Sequence, residues 1–276
     1  MQVGIFTNTF VRSTLEETLE AVKLHRLGVV QFNLECAGLS CMPEYIDNDL
    51  CEIISQKMAL RGIVMAAISG TFNMIHPDLG ERQRGMRRLR ELASVCKRLN
   101  TGVITLCTGT RNRESMWLPH PENKTREAWM DLVESMGKAS EIAEEHGITM
   151  AFEPEVSNVV DSAHRARRLL DEVRSNNLKV VIDGANIFHA GELPRMKKVL
   201  EEAFTLLGDA IVHAHAKDLD KDGEAGKLAA GTGLLDYDHY ISLLKGVGFD
   251  GPLILHGLKE NQVNASRKFL LEILQD

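Results

Sequence analysis

A chain of 276 residues, 44% of them hydrophobic and 26% charged, can bury a sizeable core, which excludes the disordered and collagen-like classes. A formal charge of −7 disfavours a nucleic-acid partner, because such binding needs lysine and arginine to displace condensed counterions. No stretch approaches the roughly 20 apolar residues of a membrane span, and the amino terminus lacks the basic and long apolar regions of a signal peptide. The five cysteines (Cys36, Cys41, Cys51, Cys96 and Cys107) form no CxxC pair and are odd in number, so reduced thiols in the cytoplasm are expected.

Along the chain, short β-branched runs alternate with longer amphipathic ones. The first predicted strand is Val3–Phe6. The helix after it opens at Ser13-Thr14-Leu15-Glu16, where a serine precedes a glutamate by three as in a capping box, and is apolar at Leu15, Leu19, Val22 and Leu27. Strands follow at Val29–Leu34, Ile63–Ile68, Val103–Cys107, Ile148–Phe152, Val180–Asp183, Ile211–His215 and Leu253–His256, eight in all. Between them, helical patterns run through Arg82–Leu99, Arg126–His146, Ser162–Val173, Leu193–Leu207, Tyr237–Val247 and Asn261–Leu274. Gly28, Gly62, Gly147 and the Gly248/Gly251 pair stand where helices should end.

Alternating strand and helix demands a parallel sheet. Eight units without a linker or a composition shift point to an α/β chain, a single (β/α)8 barrel domain over residues 1–276, with a doubly wound open sheet as the alternative. The longest irregular segments, Ala37–Asp49 and Thr108–Lys124, follow strands and so belong to the face on which barrels build their sites.

Polar residues stand at the strand tips. Glu35 follows the second strand and His76 the third; Glu153 and Glu155 end the fifth, Asp183 and Asn186 the sixth, His213, His215, Lys217 and Asp218 the seventh, and His256 the eighth. Closing a barrel would set Glu153, Asp183, His215 and His256 side by side. Two carboxylates and two imidazoles suit one divalent ion (Mn²⁺, Mg²⁺, Co²⁺ or Zn²⁺), which also relieves the mutual repulsion of the acids. Each residue has a plainer reading: an isolated strand-end aspartate commonly caps a turn, and Glu35, His76, Arg111 and Arg113 could face solvent. Lys217 and Asp218 read as an ion pair at the mouth, His213 as a core histidine one layer below His215, and Cys107 as a small core residue.

The stretches Ser69–Pro77, Ala151–Glu155, His215-Ala216-Lys217-Asp218 and Gly231–Tyr237 resemble the xylose-isomerase-like TIM-barrel superfamily, in particular its sugar phosphate isomerases/epimerases, over essentially the whole chain. The resemblance implies that Glu153, Asp183 and His215 bind one divalent metal. In the fourth position, where the epimerases carry a glutamate that serves both as ligand and as second acid/base, this chain has His256. Asn186 stands where several relatives have a histidine, so the three-metal set of the family's endonucleases is incomplete.

What the resemblance implies is a metal-dependent isomerase or epimerase of a sugar or keto-sugar, with or without a phosphate, working through α-proton abstraction and an enediolate. Glu153 and His256 would be catalytic. His76, Glu155, Asn186 and Lys217 would orient substrate hydroxyls, and Arg111 would meet a phosphate. A lyase or dehydratase acting on a 3-keto sugar or cyclitol by β-elimination, or a non-catalytic sugar-binding barrel, are the alternatives. Family members often assemble through their helices, so a homo-oligomer is also implied.

Overall fold

The computed structural model describes residues 1–275. Its barrel strands are β1 (Gln2–Phe6), β2 (Val29–Phe32), β3 (Val64–Ser69), β4 (Val103–Cys107), β5 (Thr149–Glu153), β6 (Leu178–Asp183), β7 (Ile211–Asp218) and β8 (Pro252–Leu255). Each pairs in parallel with the next, and β8 pairs with β1 through Gln2–Ile5 and Pro252–Leu255, which closes the sheet and excludes the open alternative. A two-residue strand, Leu228–Ala229, runs antiparallel to the end of β7.

The outer ring comprises α1 (Leu15–Leu24), α2 (Asn48–Leu60), α3 (Leu79–Val95), α4 (Arg126–His146), α5 (Ala163–Val173), α6 (Met196–Leu207), α7 (Tyr237–Gly246) and α8 (Val263–Gln275). Helix α1 starts one residue later than its sequence pattern suggests. Thr14, extended at φ −135°, accepts from the Glu17 N–H, while the Glu17 carboxylate accepts from Ser13 and Thr14. Helix α2, absent from the periodicity reading, is capped by Asp47 at the end of a segment expected to be irregular. Asp78 likewise starts α3 at Leu79, ahead of the expected Arg82.

Strand side chains alternate between two environments. Ile5, Val30, Phe32, Ile104, Phe152 and Ile182 join the large apolar layer beneath the helices, whereas Phe6, Val29 and Ile254 form a separate small cluster in the barrel lumen. Gly4 lets that lumen close: a Cβ there would lie 2.6 Å from both the Val29 carbonyl oxygen and Ile254 Cδ1. The other inward positions carry polar groups, and they are what the fold presents at its carboxyl-terminal mouth.

Candidate active site

Strand phase and register assemble the site. Asp183 on β6 is level with His215 on β7, and His215 with Ile254 on β8, one residue before the strand-end pair Leu255 and His256. Inward phase then brings one donor from each strand into the lumen. Ligand-type atoms of Asp183, His215 and His256 all lie within 4.8 Å of one another. Glu153, at the end of β5, approaches the same group, its Oε2 lying 3.5 Å from His215 Nδ1. The rings of His215 and His256 are 5.0 Å apart, and Phe6 of the small lumen cluster packs edge-on against His256.

Three buried atoms at this convergence have no hydrogen-bond partner: Asp183 Oδ2, His215 Nδ1 and His256 Nδ1. Buried polar atoms are nearly always satisfied, so three orphans around one point fit a shared cation. Asp183, fully buried, does have a counter-charge in Lys217, whose Nζ lies 3.3 Å from Oδ2. One ammonium beside two carboxylates still leaves a negative charge, so the donor set fits a divalent ion chemically as well as sterically.

The electrostatics sort the remaining groups. Burial opposes ionisation of Glu153, but His215 and then Lys217 outweigh it and hold the carboxyl below the ordinary glutamate range. Glu155 experiences the opposite balance: burial and the neighbouring Glu153 push it up to about 7. Burial would also discharge Lys217, but Asp183, Glu153 and Glu155 keep it a cation. His256 is driven well below the usual histidine range by burial and then by Lys217 and His215, so it is neutral. Burial does the same to His213.

Several sequence-derived assignments find other partners. Lys217 pairs with Asp183 rather than with Asp218. Asp218 instead accepts four backbone N–H groups, from Leu219 and Leu235 on Oδ1 and from Gly231 and Gly233 on Oδ2, and so pins the glycine-rich loop. Arg111 is committed to protein groups: it binds Asp131 at 2.5 Å and the Ile75 carbonyl at 3.0 Å. Asn186 donates to Glu153 Oε1 at 2.6 Å and accepts from Gly226 N–H, which makes it a holder of Glu153. His76 Nδ1 accepts from the Asp78 amide at the start of α3. Glu35 and Arg113 are exposed, and Cys107 is buried, its Sγ 3.1 Å from the Phe72 carbonyl oxygen.

The sequence reading did not single out Gln31. Its Oε1 lies 2.9 Å from His213 Nε2 and 2.8 Å from His215 Nε2, and its own amide donates to Thr105 Oγ1 at 3.1 Å. The available signal was an amide at an inward position of the otherwise apolar run Val29-Val30-Gln31-Phe32. Thr7, Asn33 and Ser69, buried at or beyond the ends of β1, β2 and β3, are engaged locally: Thr7 Oγ1 accepts from the Asn33 amide, Asn33 Oδ1 from the Glu35 amide, and Ser69 bonds Thr71.

A protein of uncharacterised function from Methanocaldococcus jannaschii is 21% identical over 281 residues, covering all of this chain and 90% of that one. Among solved structures, a D-tagatose 3-epimerase-like protein superimposes with TM-score 0.78 at 16% identity, covering 100% of this chain and 97% of its own. The probable 3-DHS dehydratase AsbF of Bacillus anthracis gives TM-score 0.74 at 15% identity, covering 98% and 99%. The IolI protein, crystallised with a zinc atom, gives 0.75 at 19%, covering 99% and 98%. These likenesses establish the fold they share. The family model for the xylose isomerase-like TIM barrel matches residues 17–273, and the chain belongs to that family.

Proposed function

We propose that this protein is a divalent-metal-dependent isomerase or epimerase of an unphosphorylated sugar or keto-sugar. The observation that carries the reading is the meeting of Asp183, His215 and His256 at unpartnered buried atoms, with Glu153 beside them. These residues would hold the ion. When bound, it would supply Lewis-acid stabilisation of negative charge developing on a substrate carbonyl oxygen.

Glu153 is the base in this reading. It is held ionised, and Asn186 fixes one of its oxygens, so the carboxylate is oriented before substrate arrives. Neutral His256 stands where the related epimerases have a second glutamate, so the last strand supplies no carboxylate to move the proton. Returning the proton to the neighbouring carbon gives isomerisation, and its return to the opposite face requires a second carrier. Lys217 would orient a hydroxyl near Asp183, and Glu155, with its raised pKa, would donate to another.

The absence of phosphate from the substrate is supported by two commitments. Barrel enzymes commonly bind phosphate on backbone N–H groups after the seventh and eighth strands, and here the Gly231 and Gly233 N–H groups go to Asp218. Arg111 is tied to Asp131. A second reading, β-elimination from a 3-keto sugar or cyclitol, gains from the same lack of a last-strand carboxylate, because elimination needs no proton return to a second face.

Incubating the metal-loaded protein with keto-sugars and their phosphates in deuterium oxide separates these readings. Solvent deuterium in an isomerised or epimerised neutral sugar is expected. An enone product would favour elimination, and turnover of the phosphates alone would overturn the unphosphorylated assignment. Absence of turnover, with ligand binding unchanged in Glu153→Ala, would favour a non-catalytic barrel.

A further inference from the structure

We propose that Gln31 is a positioning residue that sets which ring nitrogen of His215 faces the acidic centre; this rests on the metal reading above. Gln31 lies on β2, across the lumen from β7, and a single oxygen, Oε1, meets both His213 Nε2 and His215 Nε2. The other end of the amide is anchored by donation to Thr105 Oγ1 on β4. With the NH₂ group directed at Thr105, only the oxygen is available to the histidines, and an oxygen can only accept. In this orientation of the amide both rings carry a proton on Nε2; the reverse orientation, with the Thr105 hydroxyl donating to the oxygen and the NH₂ group meeting both rings, would leave each Nε2 unprotonated.

The consequence falls on His215 Nδ1. With Nε2 protonated and bound by Gln31, the nitrogen left to exchange its proton for a metal ion is Nδ1, the atom 3.5 Å from Glu153 Oε2 and 3.9 Å from Asp183 Oδ2. Two carboxylates around that nitrogen favour positive charge there, whether a proton or a metal ion that replaces it. A hydrogen-bonded partner on the distal nitrogen also raises the basicity of a ligating imidazole and fixes its ring plane. His213 provides an internal control. It receives the same acceptor on Nε2, its Nδ1 has no partner, and it is not among the residues that converge on the site.

Nitrogen-15 NMR of histidine-labelled protein, with and without Zn²⁺, reads the protonated nitrogens directly, and calorimetric titration with Zn²⁺ reads the affinity. Expected in the wild type are Nε2-protonated His213 and His215 in both states. Gln31→Leu, which leaves the two N–H groups without an acceptor, should weaken Zn²⁺ binding by about 10- to 100-fold, as loss of an outer hydrogen-bond partner typically does. Gln31→Glu, which still accepts from both rings, should restore most of the affinity. An unprotonated Nε2 on either ring in the wild type would overturn the proposal without any variant, as would unchanged Zn²⁺ affinity in folded Gln31→Leu. Should Gln31→Leu fail to fold, Thr105→Val frees the amide to turn, and equal affinity there with unmixed ring tautomers counts against the proposal. If the wild type binds no Zn²⁺, the metal reading fails, while the ring tautomers of the metal-free protein still decide the role of Gln31.

Discussion

Glu153 sits between two groups that set its orientation, Asn186 on Oε1 at 2.6 Å and His215 at 3.5 Å from Oε2. Glu153→Gln keeps the shape and removes the base, so kcat should fall by about 10²- to 10⁴-fold, the usual share of a general base. Steady-state kinetics alongside a folded circular dichroism spectrum tests this, and retained turnover would remove Glu153 from the chemistry. His256→Glu restores the carboxylate that related epimerases carry, and the product ratio should move toward the epimer. Chiral product analysis reads that shift, and an unchanged ratio would mean that the last strand does not govern proton return.

The end of β7 shows how one element can hold both a site and its scaffold. His215 and Lys217 point into the lumen, while Asp218, of opposite phase, gathers four backbone N–H groups from the chain that follows. Asp218→Ala leaves buried donors without an acceptor, at about 1–3 kcal/mol for each one truly desolvated. Urea denaturation should therefore show a loss of several kcal/mol, whereas Asp220→Ala, at an exposed neighbour, should be neutral. Equal midpoints for the two would contradict the pinning role.

The loop after β4 is tied to the helices through Asp131, which binds Arg111 and Arg82. Partial burial works against ionisation of Asp131, but the two guanidinium groups outweigh it and lower its pKa in the folded chain. A depressed acid stabilises the fold above its unfolded pKa of about 3.9 and loses that contribution as pH falls through the folded value. Asp131→Asn should accordingly lower the melting temperature at neutral pH, with the gap to wild type closing in acid. A gap that widened below pH 4 would reverse the sign. Neither this commitment of Arg111 nor the Lys217–Asp183 pair was legible in the sequence, because both depend on the stagger and tilt of elements distant along the chain. The sequence marked the strand tips by their ionisable residues, but which of them share the lumen was decided by the register that sets Asp183 level with His215 and His215 level with Ile254. Helix α2 buries Cys51, Ile54 and Met58 at helical spacing, but its cap, Asp47, ends a loop-like segment that masked the start of the pattern.

At the scale of the whole barrel, closure through β8 and β1 is what converts strand-end residues into neighbours. Eight β-branched runs separated by helical ones made that closure readable, and Gly4 is a local condition for it that no periodicity marks. Gln31 was missed for a related reason: its partners are on β7, across the lumen, and only the finished barrel brings them within reach. The same closure draws two carboxylates together at the cost of their repulsion, so a divalent ion should stabilise the folded chain. A free ion at about 100 times its Kd should add about 2.7 kcal/mol, seen as a higher melting temperature that EDTA reverses. An anomalous-difference map from crystals grown with Mn²⁺ tests the metal centre most directly. The expected result is one peak at the strand ends, coordinated by Glu153, Asp183, His215 and His256; a mouth without a peak, or one bound elsewhere with Lys217 alone neutralising the acids, would contradict it.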